Sequence, residues 1–136
     1  MCRSVLVAIG LVIGSSLAAA CGGSAMPPAL IAQTVSSDLR RFSIQVASDP
    51  NPAIRGVNKI EYTLSSTSSS LDGLTLTVVP WMPSHGHGTS VKPTIQDLGG
   101  GKFEIDDVLF FMPGTWELRT TIEPTGDHAA PSFEIQ

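Results

Sequence analysis

The sequence predicts an all-β fold. From Arg40 onward, apolar and polar residues alternate in several short runs, which is the period of a strand with one buried face. Turn-forming residues separate these runs, and no window shows the apolar stripe of an amphipathic helix. About 95 residues follow the N-terminal region, enough for one small domain with a modest core. We therefore expect a single immunoglobulin-like antiparallel β-sandwich of about seven strands, covering residues 39–136.

Each predicted strand is marked by its alternating residues. In chain order, these are Phe42/Ile44/Val46, Ile60/Tyr62/Leu64, Leu74/Leu76/Val78, Phe103/Ile105 and Trp116/Leu118/Thr120/Ile122. A further strand is expected over residues 91–97. The predicted reversals are Asp49-Pro50-Asn51-Pro52, Asp72-Gly73, Gly99-Gly100-Gly101 and Pro113-Gly114. Gly and Pro dominate such turns because they supply backbone angles that other residues adopt at a cost.

The N-terminal region has the pattern of an export signal. Arg3 is followed by an uncharged, apolar or small stretch over residues 5–20, shorter than the roughly 20 residues of a membrane-spanning helix. The stretch ends in Ala18-Ala19-Ala20-Cys21, which resembles the lipobox of bacterial lipoproteins. That resemblance implies removal of residues 1–20 and lipidation of Cys21. Residues 21–38 would then form a flexible tether, although an ordinary signal peptidase would instead release a soluble protein.

Composition restricts the function further. Of the eight Lys and Arg residues only Arg3 precedes Cys21, so twelve acidic residues outnumber the basic ones in the expected mature chain. This charge argues against nucleic acid as a partner. After lipidation of Cys21 no thiol remains for catalysis or for a disulfide. Ser84 precedes His85, but adjacent residues rarely place a hydroxyl and an imidazole in catalytic geometry, so we do not expect an enzyme.

A Met- and His-containing loop carries most of the functional information. The segment Trp81-Met82-Pro83-Ser84-His85-Gly86-His87-Gly88 holds a thioether and two imidazoles. If the strands reverse as predicted, Met112 returns to the same end of the sandwich. Thioether sulfur suits Cu(I), and imidazole binds Cu(I) or Cu(II). Met82, His85, His87 and Met112 are therefore candidate ligands for a copper ion. The alternative is a structural loop, with imidazoles that bond to carbonyls and methionines that fill the core edge.

The same segments resemble a known family. The loop just described, followed by Gly101-Lys102-Phe103 and then by Phe111-Met112-Pro113-Gly114-Thr115-Trp116-Glu117-Leu118, is similar to the YtkA-like/FixH-like domains. The resemblance covers about residues 40–122. It implies an exported or membrane-anchored bacterial domain with an immunoglobulin-type sandwich. It also implies a link with copper handling or with the assembly of copper-containing respiratory complexes, and by position it points to the same four residues.

Two functions are consistent with these features. The first is a copper chaperone or buffer, anchored to a membrane through Cys21 and facing the periplasm or the cell exterior. It would pass its ion to an envelope protein by ligand exchange, and acid would weaken binding because protonated imidazole is not a ligand. The second is a metal-free interaction module of the cell envelope, in which Trp81, Phe110, Phe111 and Met112 form an apolar patch.

Overall fold

A computed structural model describes residues 31–136, with side chains from Gln33 onward. The predicted signal peptide and Cys21 lie outside the described residues. Within residues 31–136, no helix is long and apolar enough to cross a membrane. The described chain is built from ten strands. They are β1 (Ile31–Ser36), β2 (Ser43–Asp49), β3 (Gly56–Ser65), β4 (Thr75–Met82), β5 (His87–Gly88), β6 (Thr94–Gly99), β7 (Lys102–Phe110), β8 (Gly114–Glu123), β9 (Asp127–Ala129) and β10 (Ser132–Ile135).

The strands form two antiparallel sheets, so the predicted all-β sandwich is confirmed. One sheet has the order β1-β2-β3-β7-β6, and the other has the order β10-β8-β4-β5, with β9 also paired to β8. Ten strands are present among the described residues rather than about seven. The additional ones are short or lie at edges, where little alternation is needed because only part of the strand faces the core.

One additional strand lies in the range expected to be a tether. β1 pairs antiparallel with β2, from Ile31 opposite Ala47 to Ser36 opposite Ser43. The backbone of β1 is therefore part of the sheet, and the ordered domain includes residues before 39. Its sequence, Ile-Ala-Gln-Thr-Val-Ser, alternates too weakly to identify it as a strand without its partner.

The core follows the alternation in the sequence. All the alternating residues of the five clearest predicted strands are buried except Leu76, which is partly exposed and packs against the core. Full burial of each Leu, Ile or Phe side chain contributes roughly 2 kcal/mol. Tyr62 carries its hydroxyl into this core, where it bonds to Thr120 Oγ1 at 3.1 Å. Burial raises the pKa of the Tyr62 phenol, although the bond to Thr120 acts in the opposite direction.

The connections place the two Met/His segments at one end of the sandwich. The triple-glycine turn joins β6 to β7 as predicted, although β6 begins at Thr94 rather than at residue 91. β7 then runs to Phe110, which lies opposite Gly56 at the start of β3. In the other sheet, the end of β4 lies beside the start of β8, with Trp81 opposite Glu117. We call this end, formed by residues 83–87 and 111–113, the rim.

Candidate metal site

A tight turn positions the two rim histidines. The carbonyl of Met82 accepts hydrogen bonds from the backbone N–H groups of His85 (3.2 Å) and Gly86 (3.0 Å). The chain then returns as β5, which places His87 opposite Met82. Gly88 allows this close return, because a Cβ atom there would lie 2.5 Å from the Pro80 carbonyl oxygen. The Pro and Gly residues of the loop therefore bring both imidazoles to the end of β4.

His85 and His87 lie side by side. Their ring centroids are 5.5 Å apart, with an angle of 75° between the ring planes. His85 is exposed and His87 is half-buried. Metal–nitrogen bonds are about 2 Å long, so two imidazoles on one ion have centroids within roughly 6 Å. The spacing of the two rings fits a shared ion.

A hydrogen bond and a ring contact orient His87. Its Nδ1 lies 3.3 Å from the carbonyl oxygen of Gly88, which can only accept. With the proton on Nδ1, the lone pair of Nε2 is left for a ligand, which is the usual arrangement of a metal-bound histidine. The ring also stacks on Phe111, with centroids 5.7 Å apart and an interplanar angle of 19°. The orientation of this imidazole is thus set before any ligand arrives.

The stacked pair is the outer end of a row of aromatic rings. Phe111 makes an edge contact with Trp116, with ring centroids 5.2 Å apart. Trp116 packs against Phe110, with centroids 5.5 Å apart. Phe110 in turn contacts Phe133, at 5.6 Å, inside the core. Because Trp116 and Phe110 are fully buried, the row connects the rim to the hydrophobic core.

The two methionines have different environments. Met112 is half-buried against the core, and its carbonyl accepts a 3.0 Å bond from the indole Nε1 of Trp116. Met82 is only 1% exposed, and a Cβ atom on Gly114 would lie 2.6 Å from its methyl carbon. The four candidate ligands share one end of the sandwich, but Met82 is a core side chain. Its burial gives it a packing role and leaves its sulfur no open approach.

Arg55 and Asn58, which were not among the candidate ligands, help to hold the rim in place. The Arg55 Nε donates to the Phe111 carbonyl at 3.1 Å, which links the β2–β3 loop to the rim. Asn58 is buried and accepts from the N–H of Ile54 (2.9 Å) while it donates to the carbonyls of Ile54 and Gly56. The sequence gives one indication of the Asn58 role, because a polar Asn interrupts the apolar pattern of its strand. Nothing in the sequence marks Arg55.

The third histidine lies elsewhere. His128 is on β9 opposite Thr121, whose hydroxyl is 3.2 Å from the His128 Nδ1. Thr121 is four residues, or about 13 Å, along β8 from Glu117, which lies opposite Trp81 next to the rim. Among the residues that the structure describes, no group of three or more His, Cys, Asp or Glu side chains could hold a metal. The described rim residues offer two imidazoles and, on the neighbouring loop, the half-buried Met112 side chain.

Fold and rim together define a small all-β sandwich domain that carries a histidine pair at one end. The chain belongs to the YtkA-like family, whose model matches residues 36–121. The match runs from the last residue of β1 through most of β8 and includes the whole rim, in agreement with the resemblance seen in the sequence. No curated protein and no solved structure matches the chain.

Proposed function

We propose that this protein is an envelope-anchored metal-binding domain that carries or buffers copper at the rim. The observation that carries the proposal is the His85–His87 pair, two adjacent imidazoles of which one is oriented by Phe111 and by the Gly88 carbonyl. Met112, on the neighbouring loop, is the proposed sulfur ligand. Met82 is proposed to support the loop from within the core, because its side chain is sealed there.

The chemistry of these groups favours a soft or borderline ion. Imidazole binds copper in both oxidation states, and a thioether favours Cu(I). With two or three protein ligands and an exposed His85, the ion would keep an open side. An open side allows a partner to attack the ion with its own ligands, so that copper moves by ligand exchange. Acid would release the ion, because a protonated imidazole has no lone pair to offer.

Anchoring through Cys21 would limit how far the domain lies from the membrane. Nine residues lie between Cys21 and Ile31, so the extended chain spans at most about 35 Å. In a lipidated protein Ile31 would thus stay close enough to the membrane for a membrane-embedded copper protein to meet the domain.

Copper titration tests the proposal. We expect the protein to bind one equivalent of Cu(I) in competition with a chelator, and to bind Cu(II) through the histidines. His85→Ala/His87→Ala should weaken both affinities at least tenfold, and Met112→Leu should weaken Cu(I) binding more than Cu(II) binding. His128→Ala is the matched control, since it removes an imidazole on β9, opposite Thr121 and away from the rim. Equal affinity in the double variant and in the control would refute the site.

A second function is favoured by one observation, the exposure of apolar side chains around the rim. Of the residues predicted for an apolar patch, Phe110 is fully buried and Phe111 is 40% exposed. Ile54 and Val57 at the same end are 49% and 60% exposed. Such a patch suits a metal-free interaction with an envelope protein. In that case Phe111→Ala would abolish capture of a defined partner, capture would survive a chelator, and His85→Ala would leave it unchanged.

A further inference from the structure

The β4 strand has an open edge over most of its length. β5 pairs with Trp81 and Met82 only, while β8 pairs with β4 from Thr75 to Trp81. In the described part of the chain, residues 75–80 thus have a strand on one side and none on the other. The chain begins a strand along this edge with β5 and then leaves it after Gly88.

The register identifies which backbone groups point outward. The N–H of Leu118 donates to the Pro131 carbonyl at 2.9 Å, so Leu118 faces away from β4. Leu118 lies opposite Pro80, and backbone directions alternate along an antiparallel pair. The N–H and C=O groups of Leu76 and Val78 therefore point to the open side. Pro80 offers only a carbonyl, which Gly88 already approaches.

An apolar groove runs beside this edge. Its volume is about 590 Å³, with residues 76–80 on one wall and residues 89–93 and Ile95 on the other. Val79 and Val91 are 45% and 39% exposed there. Among the described residues that line it, Lys92 alone is charged. The groove thus offers apolar walls, outward backbone donors and acceptors, and one positive charge.

Open edges of this kind are usually protected in natural proteins by charged side chains, bulges or prolines, because they pair readily with other strands. Residues 75–80 read Thr-Leu-Thr-Val-Val-Pro and contain no charge, and the only proline is at the end next to β5. Residues 75–79 of this edge therefore lack a protecting charge or proline of their own.

We propose that the β4 edge binds an extended peptide segment of another protein, which adds a strand in line with β5. The peptide pairs its backbone with Leu76 and Val78, places alternate apolar side chains in the groove and offers a carboxylate to Lys92. Backbone pairing supplies the affinity of such complexes, and the pockets for alternate side chains supply the specificity. This site is separate from the rim histidines and does not depend on copper.

Amide hydrogen exchange on the full-length protein tests the proposal at single residues. In the free protein the amides of Leu76 and Val78 should exchange fast, whereas those of Thr77 and Val79, which bond to β8, should be protected. The probe is the synthetic peptide acetyl-Thr-Val-Asp-Val-Thr-Val-amide. In excess it should slow exchange at Leu76 and Val78 at least tenfold. A peptide N-methylated at the alternate residues whose N–H groups would face β4 loses the donors for this pairing. It should give no protection.

Charge provides an independent check. Replacing the peptide's Asp with Lys should weaken binding several-fold, and Lys92→Glu should reverse that preference. The His85→Ala/His87→Ala variant should bind the peptide as well as the natural protein does, which separates this proposal from the copper proposal. Equal binding of the N-methylated peptide, or protection confined to other residues, would overturn the docking site.

A second copy of this chain is the competing occupant. If the edge pairs with itself, Leu76 and Val78 will be protected without peptide, to an extent that rises with protein concentration, and sedimentation will show a dimer. That result would overturn the proposal of a foreign peptide. The foreign-peptide proposal would be supported if the free protein is a monomer, if both amides exchange fast in it, and if added peptide then protects them.

Discussion

The two ends of the sandwich use polar side chains in opposite ways. At the end away from the rim, Asp127 is fully buried, and its Oδ1 accepts the backbone N–H groups of Leu39 and His128, both at 2.9 Å. The N–H of Asp38 donates to the His128 carbonyl at 2.8 Å. These bonds tie the β1–β2 turn to β9, so the polar groups here serve the fold.

Electrostatics supports the structural role of Asp127. Burial by itself raises the pKa of its carboxyl. Hydrogen bonds from Ser37 and from the backbone of Leu39, His128 and Arg41 outweigh burial and hold the pKa below its ordinary value. The carboxylate therefore stays charged and bonded in the folded protein.

At the rim, by contrast, the two histidines are at least partly exposed. His85 is exposed, and the side-chain bond of His87 is to a carbonyl only one residue away. Neither histidine links distant segments by a described hydrogen bond. The rim is held by aromatic packing, by backbone bonds, and by side-chain bonds from Arg55 and Trp116 to rim carbonyls. A buried carboxylate that accepts backbone N–H groups from two segments thus stabilises the fold, whereas the partly exposed imidazoles are the groups that we propose bind a ligand.

The largest effect on stability should come from Gly114→Ala. Gly114 has a φ of 125°, and a Cβ there would lie 2.6 Å from the buried Met82 methyl. Backbone strain and overpacking together should cost about 3 kcal/mol. Urea unfolding measures this. Gly126→Ala is the control, because Gly126 has a φ of 65° with no atom within 4 Å of the added Cβ, and it should cost only about 1 kcal/mol. Equal costs would mean that Met82 is not packed there.

Removal of the Asp127 carboxylate, at the end away from the rim, should have the next largest effect on stability. Asp127→Ala leaves the Leu39 and His128 N–H groups without their acceptor, which should cost about 2 kcal/mol. The neighbouring Asp38→Ala, at an exposed position in the same turn, should cost less than about 0.5 kcal/mol. Neither variant should alter the copper affinity of the folded protein. A change in that affinity would show that the two ends are coupled.

The same carboxylate predicts a pH dependence. A group whose pKa is lower in the folded state stabilises the protein above its unfolded pKa, about 4 for Asp, and that stabilisation is lost as pH falls through the folded pKa. The stability difference between the natural protein and Asp127→Asn should therefore be largest near neutral pH and shrink in acid. A difference that grows on acidification would contradict the assigned direction.

Phe111→Ala should have a smaller effect on stability and a specific effect on binding. Phe111 is 40% exposed, so its removal should cost only about 1 kcal/mol. It also removes the stacking that orients His87, and copper affinity should fall a few-fold. Leu39→Ala is the control at the opposite end, where the side chain is 58% exposed, and it should leave copper binding unchanged.

The smallest effect on stability is expected for His85→Ala. An exposed side chain without a described hydrogen bond contributes less than about 0.5 kcal/mol. Thermal unfolding without metal should therefore match the natural protein, while the copper-induced rise in melting temperature should be reduced. A marked loss of stability without metal would favour the structural-loop interpretation of the histidines.

Much of the rim could be predicted because its parts are local. The Pro and Gly residues of the loop and the reversal at Pro113-Gly114 are visible in the sequence, and they bring His85, His87 and Met112 to one end. The burial of Met82 was also within reach, because it continues the inward series of Leu74, Leu76 and Val78 by steps of two. The stacking of His87 on Phe111 could not be predicted, since it joins loops from different parts of the chain.

The strands that were missed show the same limit. β5 is two residues long, and it exists because Gly88 lets the chain approach β4 closely. β10 has alternating Phe133 and Ile135, but four residues give a weak signal without β8 beside them. The open edge of β4 could not be recognised either, because an edge is defined by the strand that is absent beside it.

The sequence by itself determined the fold class, the inward residues of the long strands, the turns and the family, because alternation and turn chemistry act over a few neighbouring residues. Tertiary structure alone decided which histidine is oriented, that Met82 is sealed in the core and that Asp127 joins segments at the opposite end. It also decided that, within residues 31–136, β4 has a strand on only one side of residues 75–80. Those features depend on which distant segments pack together. Packing of that kind is a property of the whole core and not of any local pattern.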